Sequence, residues 1–106
     1  MEFEHNWEFE TTEEIENIFT EGFKDLNDLI VDIALANLKT PIKEIPVVSI
    51  LAKDEDTIYD IIIDRVDMPE TLKQNLQSME KYEDYERCQK IVNALDYLNL
   101  DKSNEK

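Results

Sequence analysis

Thr12–Leu38, TEEIENIFTEGFKDLNDLIVDIALANL, is the longest run in the chain with helical periodicity. It predicts one long helix over 12–38. At about 100° per residue, Glu14, Glu21, Asp25, Asp28 and Asp32 fall within roughly 60° of one another, while Ile15, Phe19, Leu26, Ile30 and Ile33 share a different face. One side is core and the other a ridge of carboxylates. With a rise of about 1.5 Å per residue, ridge neighbours four apart lie roughly 6 Å apart along the axis, comparable to phosphates along a nucleic-acid strand. Thr11 and Glu14 have capping-box spacing, which fixes the helix start. Gly22, the only glycine, falls on the edge of the apolar face and is expected to allow a close packing contact.

Composition bounds what surrounds this helix. The 106 residues suit one cooperative domain, expected over 1–101 with a frayed tail at 102–106. With 26 acidic against 11 basic residues the formal charge is −15, which repels nucleic acid and anionic membranes and attracts basic protein surfaces. Cys88 is alone, and no apolar run approaches the roughly 20 residues of a membrane span. The N-terminus lacks the basic and apolar regions of a signal peptide, so a cytoplasmic protein is expected.

Residues 1–10 alternate: Phe3, His5, Trp7 and Phe9 point one way and the glutamates the other, predicting a half-buried strand over 3–9. His5 reads as an ordinary strand residue. KTPIKEIP (39–46) ends the long helix as a loop, and VVSILA (47–52) reads as a short buried strand. The next segment, DTIYDIIIDRVD (56–67), fits two templates. Its β-branched content argues for a strand, but a helix would place Ile58, Ile62 and Val66 opposite Asp56, Asp60, Asp64 and Asp67. Helix is favoured, giving a second carboxylate ridge. The whole reads as predominantly α, in the α+β class with a minor sheet.

The last third predicts two helices, with Pro69 at the first start and a break near Lys81–Glu83. Leu72-Lys73-Gln74-Asn75-Leu76, then Met79, then Glu83-Asp84-Tyr85-Glu86-Arg87-Cys88 and Ile91, resembles the UVR helical hairpin of the UvrB and UvrC repair proteins. The resemblance covers about thirty residues, within 71–98. It implies a short antiparallel helix pair used for protein contact, with Leu76, Met79, Tyr85, Cys88 and Ile91 packing the hairpin.

Charge is uneven along the chain: −4 for 1–10, −6 for 11–38, +2 for 39–53, −6 for 54–70 and −1 for 71–106. A solubilising face normally mixes Lys with Glu, whereas neither ridge contains a basic residue, so each repels itself until a cationic partner relieves it. Enzyme chemistry has little to work with. One glycine forbids a phosphate-binding loop, one histidine suggests no triad, and no zinc spacing or EF-hand loop occurs. No cofactor or metal is expected. Cys88 lies on an apolar stripe and reads as a core residue.

The favoured expectation is a non-enzymatic acidic inhibitor that mimics nucleic-acid phosphates. It would bind a basic nucleic-acid-binding protein or nuclease through Glu14, Glu21, Asp25, Asp28, Asp32, Asp56, Asp60, Asp64 and Asp67. Phage anti-host and toxin-neutralising proteins are of this kind. The alternative is an adaptor or regulatory subunit that docks through the 71–98 hairpin, including Tyr85, or through the Phe3, Trp7, Phe9 strand. A homodimer formed through those apolar faces is the third.

Overall fold

The computed structural model describes residues 2–104, with side chains as far as Asn99. The chain runs through β1 (Asn6–Phe9), α1 (Thr12–Glu21), α2 (Lys24–Ala36), β2 (Glu44–Ala52), β3 (Thr57–Asp64), a 3-10 turn (Arg65–Asp67), α3 (Met68–Lys81) and α4 (Tyr85–Asn104). The strands form one sheet in the order β1-β2-β3, with β1 parallel and β3 antiparallel to β2. One core joins Ile15 of α1, Leu26 and Val31 of α2, Val48 and Ile50 of β2, Ile63 of β3, Leu72 and Met79 of α3, and Ile91 of α4. The α+β class is as expected.

Two expectations are corrected. The helix over 12–38 is two helices, because Gly22 takes φ +88° and ψ 155°, a combination that side chains with a Cβ resist. Its N–H donates to the Ile18 carbonyl at 3.0 Å and closes α1. Phe23 is then extended, starts α2, and sets its ring edge-to-face against Trp7, with centroids 6.0 Å apart at 78°. The sole glycine is a helix terminator, and the close-packing role expected for it is not what it does. A Cβ there would meet only the Tyr82 hydroxyl, at an ordinary 3.6 Å.

Residues 57–64 are a strand and not a helix, so the second carboxylate ridge does not exist. Tyr59, Ile61 and Ile63 face the core, while Ile58, Asp60, Ile62 and Asp64 face solvent, a period of two. The β-branched run Ile61-Ile62-Ile63 favours extension, and pairing with β2 across a Lys53–Asp56 turn confirms it locally; Asp56 adopts φ +51° there.

β2 is longer than the strand expected over 47–52. It begins at Glu44 and tolerates Pro46 because that residue, register partner of Ile62, turns its nitrogen away from β3 toward a side where β1 pairs only from Ser49 onward. β1 is shorter than expected, and Phe3 precedes it. The C-terminal helix pair is present, with its break at Tyr82–Asp84, and Glu83 there has φ +59°. α4 continues to Asn104, into the stretch expected to fray, while residues 105 and 106 lie outside the described part. Among the described residues, no helix is long and apolar enough to cross a membrane.

Candidate functional site

The carboxylates expected to form one ridge have separate fates. Glu14 sits in the first turn of α1, accepting a hydrogen bond from the Thr11 hydroxyl at 3.2 Å while its own N–H donates to that oxygen at 3.2 Å, the reciprocal geometry of a helix cap. Glu21 ends α1 and Asp25 lies in the first turn of α2, on opposite sides of the Gly22 break. The straight ladder with phosphate-like spacing is therefore absent.

Asp28 and Asp32 are already matched within the chain, which removes them as free partner contacts. Arg87, from the first turns of α4, reaches across to α2. Its Nε and Nη2 donate to the two oxygens of Asp32 at 3.0 and 2.8 Å, a bidentate fork, and its Nη1 donates to Asp84 at 2.8 Å and lies 3.7 Å from Asp28. Lys24 donates to Asp28 at 2.8 Å and reaches Asp84 at 3.5 Å. Three carboxylates thus share two cations, and the cluster pins the helix pair to α2. Hydrogen bonds to Asp32 and then Asp84 raise the Arg87 pKa; the bond from Arg87 holds the Asp84 carboxyl below the usual range; and the bond to Asp28 raises Lys24. Asp28 Oδ1 is buried without a hydrogen-bond partner among the described residues. Sequence reading by helical face missed this cluster. The signal was the i,i+3 pair Asp84–Arg87 beside one of only two arginines in so acidic a chain.

The other arginine is also spent internally. Arg65 donates to the carbonyls of Asn37 and Ile42 at 2.7 Å each and to Leu38 at 3.3 Å, satisfying the loose end of α2. At the far end of the sheet Asp54 accepts from the Thr12 N–H at 3.0 Å and from its hydroxyl at 2.9 Å, capping α1; the Thr12 N–H is the main cause of its lowered pKa. Lys53 lies 3.4 Å from Glu10 and 3.5 Å from Glu8, and the bond to Glu10 is the chief cause of its raised pKa.

What remains is a set of exposed carboxylates, four of them on β3 and the turns at its two ends. Asp56 lies in the β2–β3 turn, Asp60 and Asp64 on the open face of β3, and Asp67 in the 3-10 turn. Glu14, Glu21, Asp25, Asp56, Asp60, Asp64 and Asp67 are all exposed, and none is paired with a Lys or Arg among the described residues. Asp60 accepts only from the Ser49 hydroxyl of the neighbouring strand, at 2.8 Å.

The apolar candidates are mostly internal. Trp7 and Phe9 pack against the core, which accounts for the aromatic strand without a partner, and Phe3 is half-buried ahead of it. Leu72, Met79 and Ile91 of the helix pair are fully buried, and Leu76 and Cys88 pack on them. Burial raises the Cys88 thiol pKa. Tyr85 is the exception, at 67% exposed. His5 is exposed at a groove between the N-terminal segment and α2 whose other polar groups are Glu2, Glu4, Asp32 and Asn37. Among the described residues no group of three or more His, Cys, Asp or Glu side chains is arranged to hold a metal ion. Comparison with protein-family models, with curated proteins and with solved structures gave no match.

Proposed function

We propose that the chain is a non-enzymatic acidic protein that binds a basic surface of another protein, of the sort that nucleases and nucleic-acid-binding proteins present. One observation carries the reading: after both arginines are consumed inside the fold, seven of the nine carboxylates singled out from the sequence remain exposed and unmatched among the described residues. A stable fold keeps that much like charge in the open only at a cost in self-repulsion, which a cationic partner relieves. A regular helical ladder plays no part in this binding, because Gly22 breaks one ridge and β3 stands where the other was expected.

The test is capture of partners on the full chain at low and high salt, with duplex DNA or RNA as competitor. The reading expects a basic protein that is released by salt and displaced by nucleic acid. It also expects loss of that protein when Glu14, Glu21 and Asp25 or Asp60 and Asp64 become Gln or Asn. Capture indifferent to salt and to both sets would overturn it.

A second reading has one observation in its favour. Tyr85 and Val92, seven residues apart on one face of α4, are exposed at 67% and 40%. An adaptor docking through this face of the UVR-like pair would hold its partner at high salt and lose it on Tyr85→Ala.

A further inference from the structure

The sheet has one covered face and one open one. Core-side residues of β2, Val48, Ile50 and Ala52, are buried, whereas Ile58, Asp60, Ile62 and Asp64 on the opposite face of β3 are exposed, Ile58 at 63%. The edges differ as well. β1 offers four residues, while β3 offers eight, with no proline, no lysine and no bulge residue of its own. These are the usual devices by which proteins blunt an edge.

The direction of the β3 backbone groups follows from the pairing. Ser49 and Lys53 donate their N–H groups toward β1, to His5 and Phe9 at 3.1 and 3.0 Å. In an extended strand successive residues point their backbone groups to opposite sides, so Val48, Ile50 and Ala52 serve β3. Their register partners are Ile61, Tyr59 and Thr57, and Arg65 continues the same series by donating to Lys43 at 2.8 Å. The N–H and C=O groups of Ile58, Asp60 and Ile62 and the N–H of Asp64 therefore point away from the sheet, on the side of β3 where no further strand pairs among the described residues, while the Asp64 carbonyl begins the 3-10 turn. Backbone and side chains of the same four residues are open together.

We propose that the β3 edge takes up, as a fourth strand, an extended basic segment of the partner protein. Strand addition supplies main-chain hydrogen bonds, and side-chain alternation supplies selectivity. On the open face, shared with Ile58, Asp60, Ile62 and Asp64, the added strand carries Lys or Arg, whose charged ends reach Asp60 and Asp64 while their aliphatic stems cover Ile58 and Ile62; on the face of Tyr59 and Ile61 it is apolar. Charge complementarity chooses this occupant over a second copy of the chain, since a copy brings its own −15 and its own Asp60 and Asp64 to the same edge. The two aspartates keep like molecules off the edge and admit a basic strand. This assignment rests on the proposed basic partner, and deepens it by naming the segment's conformation.

The probe is an end-blocked octapeptide alternating valine and lysine, titrated into the full-length protein and followed by backbone amide NMR. The Ile58, Asp60, Ile62 and Asp64 amides are expected to shift and gain exchange protection. The valine–glutamate counterpart should leave them unchanged. Asp60→Lys with Asp64→Lys should weaken binding by roughly tenfold or more. Methylating one alternate set of peptide backbone nitrogens should abolish binding, and methylating the other set should spare it, because only one set faces β3. Binding that ignores both methylations, shifts confined to the helices, or sedimentation showing that the chain alone dimerises through β3 would each overturn the assignment. A salt-sensitive partner that leaves the β3 amides untouched removes the strand addition and keeps the proposed function. Peptide addition at β3 without any partner displaced by nucleic acid does the reverse.

Discussion

Arg87 joins the two parts of the fold that local sequence leaves separate, α2 and the C-terminal helix pair, and it does so with the carboxylates that helical periodicity placed on a binding ridge. Arg87→Ala leaves Asp28 and Asp84, both largely sheltered, with Lys24 as the only remaining cation. The expected loss is about 2 kcal/mol of stability, read by urea denaturation. The pH dependence has a fixed sign. Asp84 is held below its ordinary value in the folded state, so its contribution is present above about pH 4 and is lost as the pH falls through the folded-state pKa. In Arg87→Ala that acid-side loss should shrink. Periodicity could place Asp28 and Asp32 on the outside of a helix, and did so correctly for Asp32. What it could not supply is the distant cation, because the contact joins residues 55 apart in sequence.

At the scale of the element, Gly22 and β3 show where sequence patterns compete. A glycine inside an amphipathic run is either tolerated or a terminator, and the apolar faces on both sides of it are in phase, so the pattern alone cannot tell which. Backbone conformation can. In a continuous helix Gly22→Ala would stabilise by roughly 1 kcal/mol. At φ +88° and ψ 155° it should instead destabilise by about 1–3 kcal/mol, without rescue by Asn. The sign of that thermal-melt difference decides between the two structures. In β3 the ambiguity is arithmetic. Aspartates at 56, 60 and 64 are spaced by four, which satisfies a helix at i,i+4 and equally a strand at twice its period of two. The open sheet face sharpened the confusion by leaving Ile58 and Ile62 outside, where a strand pattern would have been expected to carry polar residues. Elements whose two faces differ more plainly were legible in kind but not in bounds: the strand expected over 3–9 is Asn6–Phe9, and the helix pair expected within 71–98 runs over Met68–Lys81 and Tyr85–Asn104.

For the molecule as a whole the governing quantity is charge that the fold does not neutralise. The cluster around Arg87 is short-range and partly sheltered, whereas the remaining carboxylates repel through solvent. Added salt should therefore screen more repulsion than attraction. Raising sodium chloride from about 20 mM to about 0.5 M is expected to raise Tm by a few degrees, measured by calorimetry, and a fall would place the dominant electrostatics in the internal cluster. The same uncompensated charge faces solvent beside a strand whose outer hydrogen-bonding groups are open, and the functional reading depends on that combination. Amide hydrogen exchange of the free, full-length protein tests it most directly. Alternation is expected along β3, with Tyr59, Ile61 and Ile63 slow and Ile58, Asp60, Ile62 and Asp64 fast. Uniformly slow exchange across residues 57–64 would contradict it, since it would mean that the edge is already occupied or that the segment is a helix after all.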